Sequence, residues 1–143
     1  MPKTFNPPGM APPASRYSHG AEINAGARWL HISGQVGTAP DGSIRQGFKA
    51  QMEQVLANIG TVLQAAGMTK RNLVKLTVFV TQPGPETVAL YRTLRDEWCE
   101  GHAPTATYLV VAGLAHPDFL VEIEAIAASE DHQNTITLSQ VRP

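Results

Sequence analysis

Two carboxylates stand in an otherwise apolar stretch near the end of the sequence, FLVEIEAIAA at residues 119 to 128. Successive side chains of a strand point to opposite faces, so Glu122 and Glu124 share one face with Leu120 and Ile126. One interpretation is an amphipathic strand whose polar face meets water. The other is a pocket lined by a carboxylate that could take part in acid–base chemistry. The pattern alone leaves both open.

Other residue types that could do chemistry form no recognised pattern. The five histidines lack an H-x-x-x-H motif and a Cys/His spacing, so we predict no metal site and no cofactor. His31 shares a strand face with Ser33, and a packed or hydrogen-bonded histidine is favoured there over a base. Cys99 has only His102 as a nearby basic group, which favours an inert thiol. The glycines mark turns and strands rather than a phosphate-binding loop.

The composition fits one globular domain in a reducing compartment. The chain has 143 residues, of which 43% are hydrophobic, enough for a single domain with a core. Eleven basic and twelve acidic residues give a net charge of −1, without the basic excess that binds nucleic acid. One cysteine cannot form an internal disulfide. The sequence shows no signal peptide and no apolar run of ~20 residues, so we predict a cytoplasmic protein that does not enter the membrane.

The sequence divides into an arm, a domain and a tail. Five of the first fifteen residues are prolines, which fix φ and remove hydrogen-bond donors, so residues 1–15 are predicted to form an extended, unpaired arm. Residues 16–128 form a single domain. Residues 129–143 show little amphipathic order and are interpreted as a C-terminal tail.

Periodicity within the domain predicts an α+β fold in the order β-β-α-β-α-β-β. Apolar spacings of three and four predict helices at about 48–66 and 86–100, the second with Arg92 and Arg95 facing water. Alternation predicts a strand at 72–82. The other strands are an N-terminal pair that resembles a hairpin and a closing pair: YSHGAEINA with RWLHISGQVG, and ATYLVVAGL with FLVEIEAIAA.

Two helices can cover only one face of such a sheet. The strand around residues 105–112 nevertheless carries apolar residues on both faces, Leu109 on one and Tyr108 on the other. Burial of both faces therefore predicts an oligomer whose sheets pack against each other.

Over residues 14 to 128 the sequence resembles the RidA (YjgF) family, whose best-known members are homotrimers that hydrolyse reactive enamines and imines. Four segments occur in the family's order and spacing: ISGQVG at 32–37, QMEQVLANIGTVLQAAG at 51–67, LVKLTVFV at 73–80 and VEIEAIA at 121–127. The resemblance implies a chorismate-mutase-like mixed sheet with two helices on one face. It also implies a homotrimer that binds a small molecule in clefts between subunits.

The resemblance further implies which residues line the cleft. Tyr17, Ser33 with Gly34, and Glu122 match the family's tyrosine, its Ser-Gly pair and its strand glutamate. Glu122 would hold or activate the attacking water, and the backbone at Gly34 would approach the ligand closely. No family role applies to Glu124, which is expected to be solvated or structural.

One site residue of the family is replaced. The family's arginine after the proline of the fifth strand corresponds to Ala106, which cannot fork onto a substrate carboxylate. Tyr108 stands two residues later, where the better-known members carry a small residue. It either makes the pocket more aromatic or packs into the subunit interface. Val88 stands where many members have asparagine, and Arg16, Arg92 and Arg95 are predicted to be surface residues rather than substitutes for the lost cation.

The sequence therefore favours a small-molecule hydrolase of the deaminase type, acting on an enamine, imine or related carbonyl compound. Because Ala106 replaces the arginine, efficient hydrolysis of 2-iminobutyrate or 2-iminopropionate is not expected. The alternative is a non-catalytic trimer that binds a small metabolite as a sensor or accessory protein. RNA binding or cleavage is disfavoured by the near-neutral charge.

Overall fold

The structure is a computed structural model that describes residues 1–130. The helices and strands of this part are β1 (Lys3–Phe5), β2 (Gly20–Glu22), β3 (Arg28–Val36), α1 (Phe48–Ala65), a 3₁₀ helix (Lys70–Asn72), β4 (Leu73–Val80), α2 (Pro85–Cys99), β5 (Thr105–Val110) and β6 (Val121–Ser129). The predicted α+β class with two helices is confirmed. Ser129 ends β6, and the rest of the predicted tail after residue 130 lies outside the described residues.

The four longer strands form one mixed sheet in the order β3-β6-β4-β5. β6 pairs antiparallel with both β3 and β4, whereas β5 pairs parallel with β4. Because α2 connects two parallel strands, it runs back along the sheet antiparallel to both. The direction of α2 therefore fixes which of its turns lies beside which part of β5.

Both helices lie on one face of this sheet. α1 buries an apolar stripe, and it lies between Gly47 and Gly67, both of which have positive φ (87° and 69°). α2 begins at Pro85, whose fixed φ suits the first helical position. The core between helices and sheet consists mainly of Met52, Val55, Leu56, Ile59, Leu63, Leu73, Leu76, Val78, Val80, Leu94, Val121, Ile123 and Ala125.

The prediction of an N-terminal hairpin was wrong. β2 pairs with β1, and β3 pairs instead with β6 at the far end of the sequence. The arm is therefore not unpaired, because Lys3–Phe5 forms a strand with Gly20–Glu22. Lys3–Phe5 contains no proline, so its N–H groups are available for pairing with β2.

The second face of the sheet has no helix over it in the described chain. Strand register places polar and large apolar side chains together on this open face, among them Glu122, Phe79 and Leu109, which lie side by side on β6, β4 and β5. Trp29 and Leu109 are 52% and 42% exposed. Large apolar groups in water are costly when they form a continuous patch.

Candidate functional site

The Ser-Gly pair of the sequence forms an irregularity in β3. Ile32 lies opposite Ala125, and Gln35 lies opposite Ile123, so Ser33 and Gly34 together face the single residue Glu124. Two residues against one make a β-bulge, which bends the strand and re-aims its side chains. The bulge places Ser33 on the exposed side of the sheet.

The bulge also makes room for the carboxylate of Glu122. A Cβ at position 34 would lie 2.8 Å from Glu122 Cδ and closer still to Oε2, distances that real Cβ atoms do not tolerate. Within the chain, the group that approaches Gly34 closely is the Glu122 carboxylate; the predicted approach to a ligand stays a prediction. Glu122 is only partly exposed, and its carboxylate is held against the β3 backbone on the open face.

Glu124 lies one pleat further along the same face and is exposed. It borders a groove of about 250 Å³ that crosses the open face next to the bulge. His31, which was expected to be packed or hydrogen-bonded, is exposed on the same groove. The other polar residues along it are Ser33, Lys75 and Thr77.

Tyr17 lies at the other side of the sheet, on the segment that leads into β2. Its hydroxyl accepts a hydrogen bond from the Ala14 N–H at 3.4 Å. The following residue, Ser18, is buried and fastens this segment to the loop before β5, with its Oγ donating to the Ala103 carbonyl at 2.6 Å. Tyr17 is therefore positioned beside the start of β5.

Ala106 and Tyr108 lie on the helix-covered face. Register pairs them with Leu76 and Val78, both fully buried under the helices. The Tyr108 ring packs on Tyr91 of α2, with 5.0 Å between ring centroids. In the single chain, Tyr108 therefore contacts α2 rather than an open subunit interface.

Neither tyrosine hydroxyl has a hydrogen-bond partner within the described residues, although both oxygens are buried. Burial raises the pKa of the Tyr91 hydroxyl, and the nearby Arg95 charge only partly offsets this. Burial likewise raises the pKa of Tyr108. Both phenols are therefore protonated near neutral pH and can donate a hydrogen bond.

The prediction that Arg95 faces water was wrong. Its residue exposure is 3%, and its guanidinium lies over the Tyr91 ring with Cζ 5.1 Å from the centroid. Nε donates to Asp96 Oδ1 at 3.0 Å and Nη2 donates to Ser15 Oγ at 3.3 Å. Arg16 and Arg92 are exposed, as predicted. Periodicity did not identify Arg95 because its partner Ser15 is 80 residues away.

The predicted site residues thus fall into two groups on opposite faces of the sheet. Ser33, Gly34 and Glu122 form the open-face group. Tyr17, Ala106 and Tyr108 form the helix-face group, to which the structure adds Tyr91 and Arg95. Within one chain, the sheet separates the two groups.

The family model for endoribonuclease L-PSP matches residues 9–129, almost all of the described chain. The chain belongs to this family, also called the RidA (YjgF) family. The matched residues include every member of both groups. The fold is that of the Rid proteins: the Rid family protein YyfB of Yersinia pestis superposes with a TM-score of 0.83 at 36% identity, covering 90% of this chain and 98% of that one.

Other relatives of the Rid family match different shares of the chain. The 2-iminobutanoate/2-iminopropanoate deaminase of Mus musculus is 33% identical over 78% of this chain and 79% of that protein. Escherichia coli TdcF, solved with bound serine, has a TM-score of 0.66 and 29% identity, over 91% of this chain and 98% of that one. A RutC family protein of Aquifex aeolicus is 39% identical, but the match spans about half of each chain, 48% of this one and 54% of that one.

Within residues 1–130, no three of the histidine, cysteine, aspartate and glutamate side chains are grouped closely enough to hold a metal ion. The helices of this part are also too short or too polar to cross a membrane.

Cys99 is buried at the end of α2, and burial raises the pKa of its thiol to about 11. At this pKa, the thiolate fraction at neutral pH is roughly 100-fold lower than for an ordinary cysteine. We therefore expect iodoacetamide to alkylate the native protein at pH 8 at least about 100-fold more slowly than the urea-unfolded protein. Equal rates in the two states, followed by mass spectrometry, would contradict the buried position.

Proposed function

We propose that this Rid family protein hydrolyses the C=N bond of a small imine, including the imine tautomer of an enamine. The observation that carries the proposal is the Glu122 carboxylate, held against Gly34 by the β3 bulge on the open face of the sheet. The name of the mouse relative supports the reaction class. A positioned carboxylate of this kind is suited to take a proton from an attacking water.

In the proposed reaction, water adds to the carbon of the protonated C=N group. Glu122 accepts a proton from that water as the new C–O bond forms, and the product is a tetrahedral amino alcohol. Glu122 returns the proton to the nitrogen and then accepts the hydroxyl proton of the amino alcohol as the C–N bond breaks, so ammonia leaves and the carbonyl forms. That proton finally passes from Glu122 to the released ammonia or to water. Ser33, at the same bulge, is placed to hydrogen-bond the reacting group or the water.

We further propose that the site is completed between subunits of a homotrimer with the chorismate-mutase-like arrangement. Two observations support this: the open-face and helix-face groups lie on opposite sides of one sheet, and the open face exposes Trp29 and Leu109. In a ring of three subunits, burying the open faces would cover that surface, and the open-face group of one subunit would lie beside the edge strand β5 of its neighbour, which carries Ala106 and Tyr108.

Position 106 determines the specificity we propose. Alanine there offers no guanidinium for a carboxylate next to the C=N carbon, so 2-iminobutanoate and 2-iminopropanoate should be poor substrates. Ala106→Arg is expected to raise kcat/KM for these two compounds by about 10-fold or more.

The test measures ammonia release from imines generated in situ, the carboxylated ones by an amino-acid oxidase and the neutral ones by a flavin-dependent amine oxidase, with catalase present. Carboxylated and neutral imines are compared for the wild type and Ala106→Arg. Faster ammonia release than the spontaneous rate supports hydrolysis. Stabilisation by 2-oxo acids in a thermal-shift assay without turnover of any imine would instead identify the protein as a binding module.

A subunit-mixing experiment tests the shared cleft. Glu122→Gln disables the open-face group, and Tyr17→Ala weakens the helix-face group. If the cleft is shared, co-refolding the two variants in equal amounts should recover about a quarter of the wild-type sites in a cyclic trimer. The opposite result is a mixture that forms a trimer in analytical ultracentrifugation and yet is no more active than the separate variants. That result would show that each site lies within one subunit.

Gly34→Ala tests the contact between the bulge and Glu122. The added Cβ would displace the carboxylate, and a shift of about 1 Å is expected to lower kcat by roughly 100-fold. Stability should change little because the contacted atoms are the end of a flexible side chain. Gly60→Ala in α1 is the control: its Cβ would meet Trp98 only at 3.7 Å, so activity should not change. Full activity in Gly34→Ala would contradict the proposed role of the contact.

A further inference from the structure

The cluster of Arg95, Tyr91 and Tyr108 has more hydrogen-bonding capacity than its neighbours use. Asp96 and Ser15 bind the Nε and Nη2 side of the guanidinium. The Tyr91 hydroxyl is the other polar group beside the guanidinium. The hydroxyls of Tyr91 and Tyr108 are buried and unpartnered within the described part of the chain. Buried polar groups are rarely left without a partner, because each costs free energy when taken from water.

Chain direction places this cluster at the level of Ala106. The rings of Tyr91 and Tyr108 are in contact, and α2 runs antiparallel to β5. Arg95 lies one helical turn after Tyr91, about 6 Å further along α2. Ala106 lies two residues before Tyr108, about 6.6 Å back along β5, which is the same direction in space. Arg95 on α2 and Ala106 on β5 are therefore neighbours across the helix-covered face.

Tyr17 belongs to the same region through the segment that precedes it. Ser15, which accepts the hydrogen bond from Arg95 Nη2, is two residues before Tyr17. Ser18, one residue after Tyr17, is bonded to the loop that enters β5. Arg95 thus lies between the segment that carries Tyr17 and the strand that carries Ala106 and Tyr108.

We propose that Arg95, with the hydroxyls of Tyr91 and Tyr108, binds the carboxylate of the substrate in the cleft. This inference rests on the proposed function and adds its specificity-determining residues. The guanidinium uses one side for Asp96 and the other for the ligand, a division that its planar set of five donors allows. The two phenols donate to the same carboxylate. Arg95 and Tyr91 are each 3% exposed, whereas Ala106 and Tyr108 are partly exposed, so a ligand would reach the cluster from the side of β5.

The position of the guanidinium determines which carboxylates fit. It extends from α2 rather than from the strand, so the bound carboxylate lies deeper under the helix than a group bound by residue 106 would. The preferred substrate is an imine whose carboxylate is separated from the C=N carbon by one or more additional carbons. On this proposal, 2-imino acids, whose carboxylate is attached directly to the C=N carbon, should bind Arg95 less well than the longer acids.

The decisive comparison uses Arg95→Met, Ala106→Arg and the double variant. Arg95→Met is expected to lower kcat/KM for imines of 3-oxo and 4-oxo acids by about 30-fold or more, and to change it less than about 3-fold for neutral imines of the same length. The double variant Arg95→Met/Ala106→Arg carries its guanidinium on the strand instead of the helix. It should turn over carboxylated imines again, but it should prefer the shorter 2-imino acids. Arg71→Met, at an exposed arginine that contacts none of these residues, is the control and should behave as the wild type.

A purely structural role for Arg95 predicts a different set of results. Arg95→Met would then lower the melting temperature and the turnover of neutral and carboxylated imines by the same factor, and Ala106→Arg would rescue neither. That outcome would overturn the inference. Tyr108→Phe gives a second readout in a variant expected to keep its fold. It should weaken binding of carboxylates by about 5-fold and leave neutral ligands unaffected.

Binding measurements keep the inference separate from catalysis. Levulinate, a 4-oxo acid, and 2-pentanone, its uncharged counterpart, are titrated into the wild type and Arg95→Met by NMR. If no imine is turned over but levulinate binds only when Arg95 is present, the hydrolase proposal fails and the carboxylate site stands. Equal binding of levulinate by both proteins, or binding by neither, would overturn the site itself.

Discussion

Replacing Glu122 with glutamine is expected to lower kcat for imine hydrolysis by about 10²- to 10⁴-fold, with the melting temperature almost unchanged. Glutamine has the same shape, so it can occupy the space over Gly34 that the bulge leaves for residue 122. It cannot accept a proton from water or return one to the leaving nitrogen. The loss should therefore appear in kcat, while KM changes little because the helix-face group is intact.

Glu124→Gln is the matched control for this experiment. Glu124 lies on the same strand and the same face, but it is exposed and lies opposite the bulge rather than in the space made by Gly34. We expect its activity to stay within about 3-fold of the wild type. Substantial activity in Glu122→Gln, or an equal loss in Glu124→Gln, would show that the carboxylate held by Gly34 is not the proton acceptor.

The comparison of Glu122 with Glu124 also shows what periodicity can and cannot predict. Alternation assigned both acids to the face opposite Val121 and Ile123, and these two residues are fully buried under the helices. Alternation carries no information on the partner strand. β3 was therefore assigned to a local hairpin, although its partner β6 begins 85 residues after β3 ends and contributes the core residues Ile123 and Ala125.

Candidate site residues could be predicted where a family motif contains them. They could not be predicted where contacts between distant parts of the sequence define the site. The Ser33-Gly34 pair and Glu122 were identified through family motifs, but the sequence does not show that the pair is a bulge or that its glycine accommodates the glutamate. Arg95 has the spacing of an exposed residue on an amphipathic helix. It is buried because Ser15, Asp96 and the Tyr91 ring replace the water that a guanidinium would lose.

Gln51 is the buried polar residue that ties the approach to Glu122 to the rest of the fold. It lies in α1 and is 2% exposed. Its Nε2 donates to the carbonyl oxygens of Arg45 and Asp118 at 3.0 and 2.9 Å, and its Oε1 accepts from the Leu120 N–H at 2.8 Å. Leu120 is two residues before Glu122. One amide therefore fixes both the loop before α1 and the loop from which β6 begins.

Gln51→Ala is expected to lower the free energy of unfolding by roughly 3 to 5 kcal/mol, because a buried side chain is truncated and three partly buried hydrogen bonds are lost. This corresponds to a fall in melting temperature of about 10 to 20 °C for a chain of this size. Gln64→Ala, an exposed glutamine on the same helix, should stay within about 0.5 kcal/mol of the wild type. Calorimetry at matched protein concentration measures both.

Gln51→Glu should be destabilised as well, since a carboxylate keeps the acceptor for Leu120 but repels the two carbonyl oxygens that the amide nitrogen binds. If Gln51→Ala were as stable as Gln64→Ala, these three bonds would contribute nothing net to the fold, and the position of Glu122 would depend on the bulge alone.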